Sequence, residues 1–301
     1  DSTSTQLEPQ PHLHSQRRAF SPEIHGLRGL ALTMVVAFHL FGNGRVSGGV
    51  DVFLIVSAYL ITGSLSRALR AGSFSVISRW ARTFSRLLPA ALLTIVMTVG
   101  LGVLIFPRSA LQEILRQAAA SATFTENIYL STAGMEYGAA AAETSPFQHF
   151  WSLSMQGQFL ALWPLAAFLL LLVLRRWPGN LRTVVFIAIA WVMTAGSFFY
   201  AIHAVAVNQT AAYYSLPARL WEFGLGAVAT AWGAFTRKKP GFWGALGWVG
   251  VAMILSSGFA VDGAHLFPGH GRCGRESALS WFCWRQNLAV RGWWASRECC
   301  L

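Results

Sequence analysis

The feature that most limits this chain is a series of long apolar runs whose short connections alternate between cation-rich and cation-poor. Seven runs, at 24–41, 50–65, 87–106, 153–174, 183–207, 216–232 and 242–261, reach or approach the length needed to cross a bilayer. That crossing takes about 20 mainly apolar residues. The runs at 24–41, 50–65 and 216–232 are short, so tilt or local thinning is expected there. Only 12% of the residues are charged and 54% are hydrophobic, with a mean hydropathy of +0.47. A soluble domain draws on about 25% charged residues for its surface. An ordinary soluble enzyme and a disordered chain are thereby excluded. The expected fold is all-α and polytopic, with about seven transmembrane helices.

The formal net charge of +11 would point to nucleic acid in a soluble protein. Here the cations flank apolar runs, so they report membrane topology and no nucleic-acid partner is expected. Arg17 and Arg18 precede the first run. Arg67, Arg70, Arg79, Arg82 and Arg86 follow the second, Arg175, Arg176 and Arg182 the fourth, and Arg237, Lys238 and Lys239 the sixth. The opposite connections hold Arg45 alone, the acid-leaning stretch 107–148 and the uncharged stretch 208–215. The positive-inside rule then puts the N-terminus in the cytoplasm. Residues 1–20 are polar, with Pro9 and Pro11, and read as a disordered cytoplasmic segment without a cleavable leader. All but two of the 23 cations are arginine, which suits a GC-rich bacterial gene and a multi-pass protein of the bacterial cytoplasmic membrane.

Polar residues within spans are costly and each needs a reason. Arg28 and His39 are eleven residues apart in the first run. At 100° per residue they share one helix face, about 16 Å apart along the axis. Snorkelling for Arg28 and a satisfied helix-end histidine are the plain alternatives. The short turn 42–49 leads back to Asp51, which is expected to lie beside His39 and orient its ring, or else to cap the next helix. Arg79, Arg82 and Arg86 recur at i, i+3 and i+7 on one helix side, suited to phosphates or simply to the inner membrane surface. His149, Trp151 and Ser152 fall at the outer mouth of the fourth run, as interfacial belt or acceptor-side residues. Arg219 and Glu222 stand at i and i+3 and should pair, for structure or for substrate. His203 and Trp191 read as packing or lipid-facing residues, and Gly100 and Gly102 as helix-contact glycines.

Several of these residues fall in a recognisable order. Glu23-Ile24-x-Gly26-Leu27-Arg28-x-Leu30-Ala31, His39, and Gly48-Gly49-Val50-Asp51-Val52-Phe53 through Thr62 closely resemble the integral-membrane acyltransferase family 3. Further matches are Arg82-x3-Arg86-Leu87-Leu88-Pro89, Ser145-Pro146-x2-His149-x-Trp151-Ser152, Gln158-Phe159, Trp163-Pro164 and Arg219-x2-Glu222-x3-Gly226. The resemblance implies a bacterial membrane O-acyltransferase that moves an acyl group, acetyl above all, from acyl-coenzyme A to a hydroxyl of a cell-envelope glycan, glycolipid or other acceptor. Acyl-coenzyme A is then a co-substrate and no metal is expected. His39 carries the chemistry, as general base or as a transient acyl-histidine. Arg28 is assigned to catalysis and to the donor, Arg82 and Arg86 to the donor phosphates, and His149, Trp151, Ser152, Gln156, Arg219 and Glu222 to the acceptor. The orienting role of Asp51 is our own reading. Ser57, Ser152, Gln156 and Gln158 are candidate oxyanion donors. Many members carry two acidic residues where this chain has Gln156-Gly157, so a carboxylate essential at that place is absent here.

Three units are expected: residues 1–20, a transmembrane domain over 21–268, and an atypical tail over 269–301. The tail holds all four cysteines and no further spanning run, whereas the family continues with more spans than the seven found here. A frameshifted or mis-joined end is one reading of it, and a disulfide-bonded outer cap the other. An inactive truncated remnant is accordingly an alternative to an active enzyme. A transporter or proton relay is the rival from another class, because it too needs intramembrane charges.

Overall fold

A computed structural model describes residues 22–41, 49–133 and 145–236. Among these residues all regular structure is helical: α1 (Pro22–Phe41), α2 (Gly49–Ala71), α3 (Val76–Ile105), α4 (Arg108–Ala122), α5 (Glu126–Ala133), α6 (Phe150–Val173), α7 (Gly179–Val207), α8 (Gln209–Tyr214) and α9 (Leu216–Thr236). Four of them, α2, α3, α6 and α7, are long and apolar enough to cross a membrane, and α1 contains the shorter apolar run Ile24–Ala37. The expected run at 242–261, the N-terminal segment 1–20 and the tail 269–301 lie outside the described residues, as does the turn 42–48.

The helices correct the expected boundaries where hydrocarbon length was the only guide. Helix α2 does not stop at Leu65 but continues to Ala71, because Ser66, Ala68 and Leu69 still face the core while Arg67 and Arg70 are exposed. Helix α3 begins at Val76, with the Ser75 hydroxyl accepting from the Ser78 N–H at 3.3 Å. Arg79, Arg82 and Arg86 therefore sit on the first turns of a helix rather than in a connection. Gly72, with φ of 69°, makes the tight link between α2 and α3 that a Cβ would strain. The stretch 107–148, expected as one outer connection, contains α4 and α5. Helix α4 buries Ile114, Gln117, Ala118 and Ser121, an i, i+3, i+4, i+7 stripe of mixed polarity. Gly102 of α3 packs on Ile114, whereas among the described residues nothing lies within 4 Å of a Cβ placed at Gly100.

The core joins α2, α6, α7 and α9. A column of aromatic rings crosses it: Phe223 stacks on Phe159 (4.3 Å between centroids), Phe159 on Trp163 (5.6 Å) and Trp163 on Phe186 (4.6 Å). Lipid tails are as apolar as leucine, so helices in a bilayer associate through close packing and hydrogen bonds. Both devices are present. A Cβ at Gly226 of α9 would collide with the Ile55 carbonyl of α2, and one at Gly224 with Thr194 of α7. Trp163 donates to Thr62 at 2.9 Å and Gln156 to Ser57 at 2.9 Å, both from α6 to α2. At the other end, Arg182 donates to the carbonyls of Leu69 (3.1 Å), Trp177 (2.9 Å) and Arg175 (3.2 Å), fastening the C-terminus of α2 to the start of α7. Outside, α3 and α7 present Leu93, Val96, Leu104, Val192 and Phe199 outward, as lipid-facing surfaces do.

Candidate active site

Helices α2, α6 and α9 run in the same sense. The contacts Ser57–Gln156 and Thr62–Trp163 ascend together along α2 and α6, and Asp51–Arg219 and Ile55–Gly226 along α2 and α9. Their N-termini therefore meet at one end of the bundle, where the aligned peptide dipoles favour negative charge. Asp51 lies in the first turn of α2, Trp151 is the second residue of α6, and Arg219 the fourth of α9.

Arg219 is the centre of this meeting point. Its Nη1 donates to Asp51 Oδ1 at 3.1 Å and to Glu222 Oε1 at 2.9 Å, and its Nε donates to the Tyr213 carbonyl at 2.9 Å. The guanidinium carbon sits 4.5 Å from the ring centroid of Tyr213 and 5.0 Å from that of Trp151. Arg219 and Glu222 side chains are each 5% exposed and Asp51 is 18% exposed, so Asp51 is the member open to an incoming molecule. One cation thus serves two carboxylates. The paired ions and the aromatic faces offset the cost of taking these charges out of water.

Trp151, left open by the sequence as belt or acceptor residue, is 2% exposed and forms a wall of this cage. It lies 4.9 Å from the Tyr213 ring and 6.0 Å from the edge-on Tyr214 ring. Ser152 donates to the His149 carbonyl at 3.3 Å within its own helix turn, and His149 is exposed at the start of α6. Gln156 is engaged with Ser57, and Gln158 donates to the Phe124 carbonyl at 2.7 Å and to Asn127 Oδ1 at 2.9 Å. Of the four candidate oxyanion donors, Ser152 and Gln158 donate to protein acceptors, and Gln156 gives one of its two amide N–H groups to Ser57.

The expected Asp51–His39 contact rests on a histidine side chain outside those the structure describes; only the helix register bears on it. Gly49 abuts the Ala31 carbonyl and Val35 of α1, and the Arg28 guanidinium lies 5.5 Å from the Phe53 ring. In that antiparallel register Asp51 stands level with about residue 31 of α1, and His39 is roughly 12 Å further along the axis. The carboxylate's partner is Arg219, which lies 168 positions away and was not recognisable from spacing. Tyr213 and Tyr214 were also missed. The signal for them was slight: a six-residue helix, α8, capped by Asn208 within an uncharged stretch.

The three arginines of α3 divide. Arg79 donates to the Ser64 hydroxyl at 2.9 Å and its carbonyl at 3.4 Å and lies 4.8 Å from the Phe74 ring, holding α3 to α2. Arg82 and Arg86 are exposed.

A bundle with four helices, among the described residues, long and apolar enough to cross a membrane, and a buried, aromatic-caged ion triad at one end, is the architecture of a multi-pass membrane protein with a built polar site. Residues 21–294 match the family model described as an acyltransferase domain, and the chain belongs to that family. It is 31% identical over 227 residues to the peptidoglycan O-acetyltransferase OatA of Listeria monocytogenes, covering 74% of this chain and 36% of that protein. It is 30% identical over 224 residues to the O-acetyltransferase OatA of Staphylococcus aureus, covering 73% and 36%. A putative peptidoglycan O-acetyltransferase of Bacillus subtilis, YrhL, is 34% identical over 155 residues, covering 50% and 24%. The matches thus span about a third or less of these relatives' length. No solved structure matches the chain.

Proposed function

We propose that this protein transfers an acetyl group from acetyl-coenzyme A to a hydroxyl of a cell-envelope glycan, peptidoglycan in particular, across the bacterial cytoplasmic membrane. The observation that carries this reading is the Asp51–Arg219–Glu222 triad, built by three helices of a chain whose relatives are named as O-acetyltransferases. Arg82 and Arg86, exposed on the opposite, cytoplasmic side in our topology, take the phosphates of the donor. A guanidinium fork suits that task.

In the reaction, the acceptor hydroxyl attacks the thioester carbonyl. A new C–O bond forms, the C–S bond breaks, and coenzyme A leaves as thiolate. His39 accepts the hydroxyl proton and returns it to the departing sulfur. Arg28, lower on the same face of α1, lies toward the donor side. Asp51, the exposed edge of the triad, receives the acceptor's remaining hydroxyls, while Arg219 holds it in place. Glu222 and the aromatic rings hold Arg219 in turn. His149, exposed at the start of α6, flanks the same end.

The deciding experiment incubates proteoliposomes carrying the full chain with acetyl-coenzyme A, with and without peptidoglycan fragments. Thiol release that depends on the fragments, with acetyl ester formed on them, supports the reading. Release of no thiol under either condition overturns it.

A further inference from the structure

A second group of buried polar side chains lies where α4, α5 and α6 meet, and the reaction above makes no use of it. The chain leaves α4 through Phe124, whose φ of 57° is the one left-handed non-glycine conformation among the described residues. Gly157 of α6 is what admits it: a Cβ there would collide with the Phe124 ring. Phe84 of α3 packs on the same ring, 5.6 Å between centroids. This wedge seats Glu126 against α6. The Glu126 N–H donates to the Ser154 hydroxyl at 3.3 Å, and the Ser121 hydroxyl donates to its Oε2 at 3.3 Å. The residue is 0% exposed, and its Oε1 has no partner among the described residues.

The next residue connects this group to the cage. Asn127 donates to the Tyr214 carbonyl at 3.1 Å and accepts from Gln158, and Gln148 donates to the Tyr214 hydroxyl at 3.3 Å. Tyr214 in turn stands edge-on to Trp151, which faces Arg219. Any movement of the α5 N-terminus is therefore felt at the wall of the ion triad.

We propose that Glu126 is a positioning residue for the transfer site: as a neutral carboxylic acid it stays buried against Ser121 of α4, which keeps the α5 N-terminus, and with it the backbone bond to Ser154 of α6, in place and so holds Tyr214 and Trp151 around Arg219; on ionising it leaves that site and releases the wall. The inference rests on the acyl-transfer reading of the triad. An ion with one serine hydroxyl as its sole side-chain partner is far costlier to bury than the neutral acid. Among the described residues the surroundings do not supply a cation. Helix α4 presents Glu113, which accepts from Tyr129 of α5 at 2.6 Å and from Gln117 at 2.8 Å, with Arg116 acting on Glu113. Helix α6 presents the uncharged Ser154 and Gln158, and α3 the Phe84 ring, its Arg82 and Arg86 being exposed. Helix α5, of eight residues, lies outside the spanning helices. Burial pushes the Glu126 carboxyl up to about 8, against the Ser121 hydrogen bond and with help from the Glu113 anion.

The test uses the full chain in lipid nanodiscs, as wild type, Glu126→Gln and Glu126→Ala. An infrared difference spectrum between wild type and Glu126→Gln should show the carbonyl stretch of a protonated carboxylic acid at neutral pH, fading as the pH rises through about 8. Over the same rise, hydrogen exchange corrected for intrinsic rates should show residues 126–133 losing protection in wild type but not in Glu126→Gln. Transfer by Glu126→Ala should drop on the order of tenfold to a hundredfold. Glu126→Gln, which mimics the neutral acid, should restore most of it and escape the alkaline loss. Absence of the infrared band, or an alkaline release of residues 126–133 shared by Glu126→Gln, overturns the proposal. If no form transfers acetyl groups, the acyl-transfer reading falls, and with it the positioning role; the infrared and exchange results still decide whether neutral Glu126 keeps the α5 N-terminus in place.

Discussion

Arg219 donates to Asp51 at 3.1 Å, and this bond ties the first turn of α9 to the first turn of α2. Removing the cation leaves the Asp51 and Glu222 carboxylates close together with nothing to balance them. Arg219→Ala is therefore expected to destabilise the folded bundle by about 3–5 kcal/mol, the cost of breaking a buried ion pair from one side. Arg219→Lys keeps the charge but loses the fork that reaches Asp51, Glu222 and the Tyr213 carbonyl together, so it should fall between Ala and wild type. Asp51→Asn, at the more exposed edge, should cost less than either. Thermal unfolding in detergent, followed by loss of monodisperse protein, ranks the three.

His39→Ala is expected to lower transfer by about 10²–10⁴-fold, the usual contribution of a general base. Membrane insertion and thermal stability should be unchanged. A variant that keeps more than about a tenth of the activity removes His39 from the chemistry.

The arginines of α3 should separate by role. Arg82→Ala and Arg86→Ala are expected to raise KM for acetyl-coenzyme A several-fold with a smaller effect on kcat. Arg79→Ala should leave KM alone and instead weaken the α2–α3 contact at Ser64. Titration of the donor with each purified variant distinguishes a phosphate contact from a general surface charge.

Two glycines in spanning segments provide a matched pair. Gly226→Ala places a methyl against the Ile55 carbonyl and is expected to cost about 1–3 kcal/mol through forced separation of α2 and α9. Gly100→Ala meets nothing within 4 Å among the described residues and should be neutral or slightly stabilising. Midpoints of unfolding for the two variants check the difference.

Stability should also depend on pH through Glu126. Its carboxyl is raised in the folded protein from 4.5 to about 8, so the folded state holds a proton that the unfolded state gives up between those values. The stabilisation is complete below about pH 4.5, declines by up to about 1.4 kcal/mol per unit across that window, and is gone above about pH 8. In Glu126→Gln the decline should be smaller by that amount. Unfolding midpoints measured across the window test the slope.

How far the sequence could be read follows from what each signal needed. Apolar length located α2, α3, α6 and α7 but stopped short of their polar ends, since a helix does not need hydrocarbon to continue once Ser66, Ala68 and Leu69 have a core to face. Helix α4 was hidden because half of its buried stripe, Gln117 and Ser121, is polar, although the i, i+3, i+4, i+7 spacing was there to see. The Arg219–Glu222 pair was legible as neighbours on one helix turn. The Asp51–Arg219 bond was not, since no local rule links residues 168 positions apart.

The seam between Gly226 and Ile55 has one more consequence. Helices that touch backbone to backbone leave no side-chain layer to slide on, so α2 and α9 travel as one rigid plank. The Asp51–Arg219 bond joins the same two helices, so the seam also sets the spacing of the triad. Under the proposed transfer, a donor entering from one face and an acceptor from the other would have to be admitted by elements other than this pair.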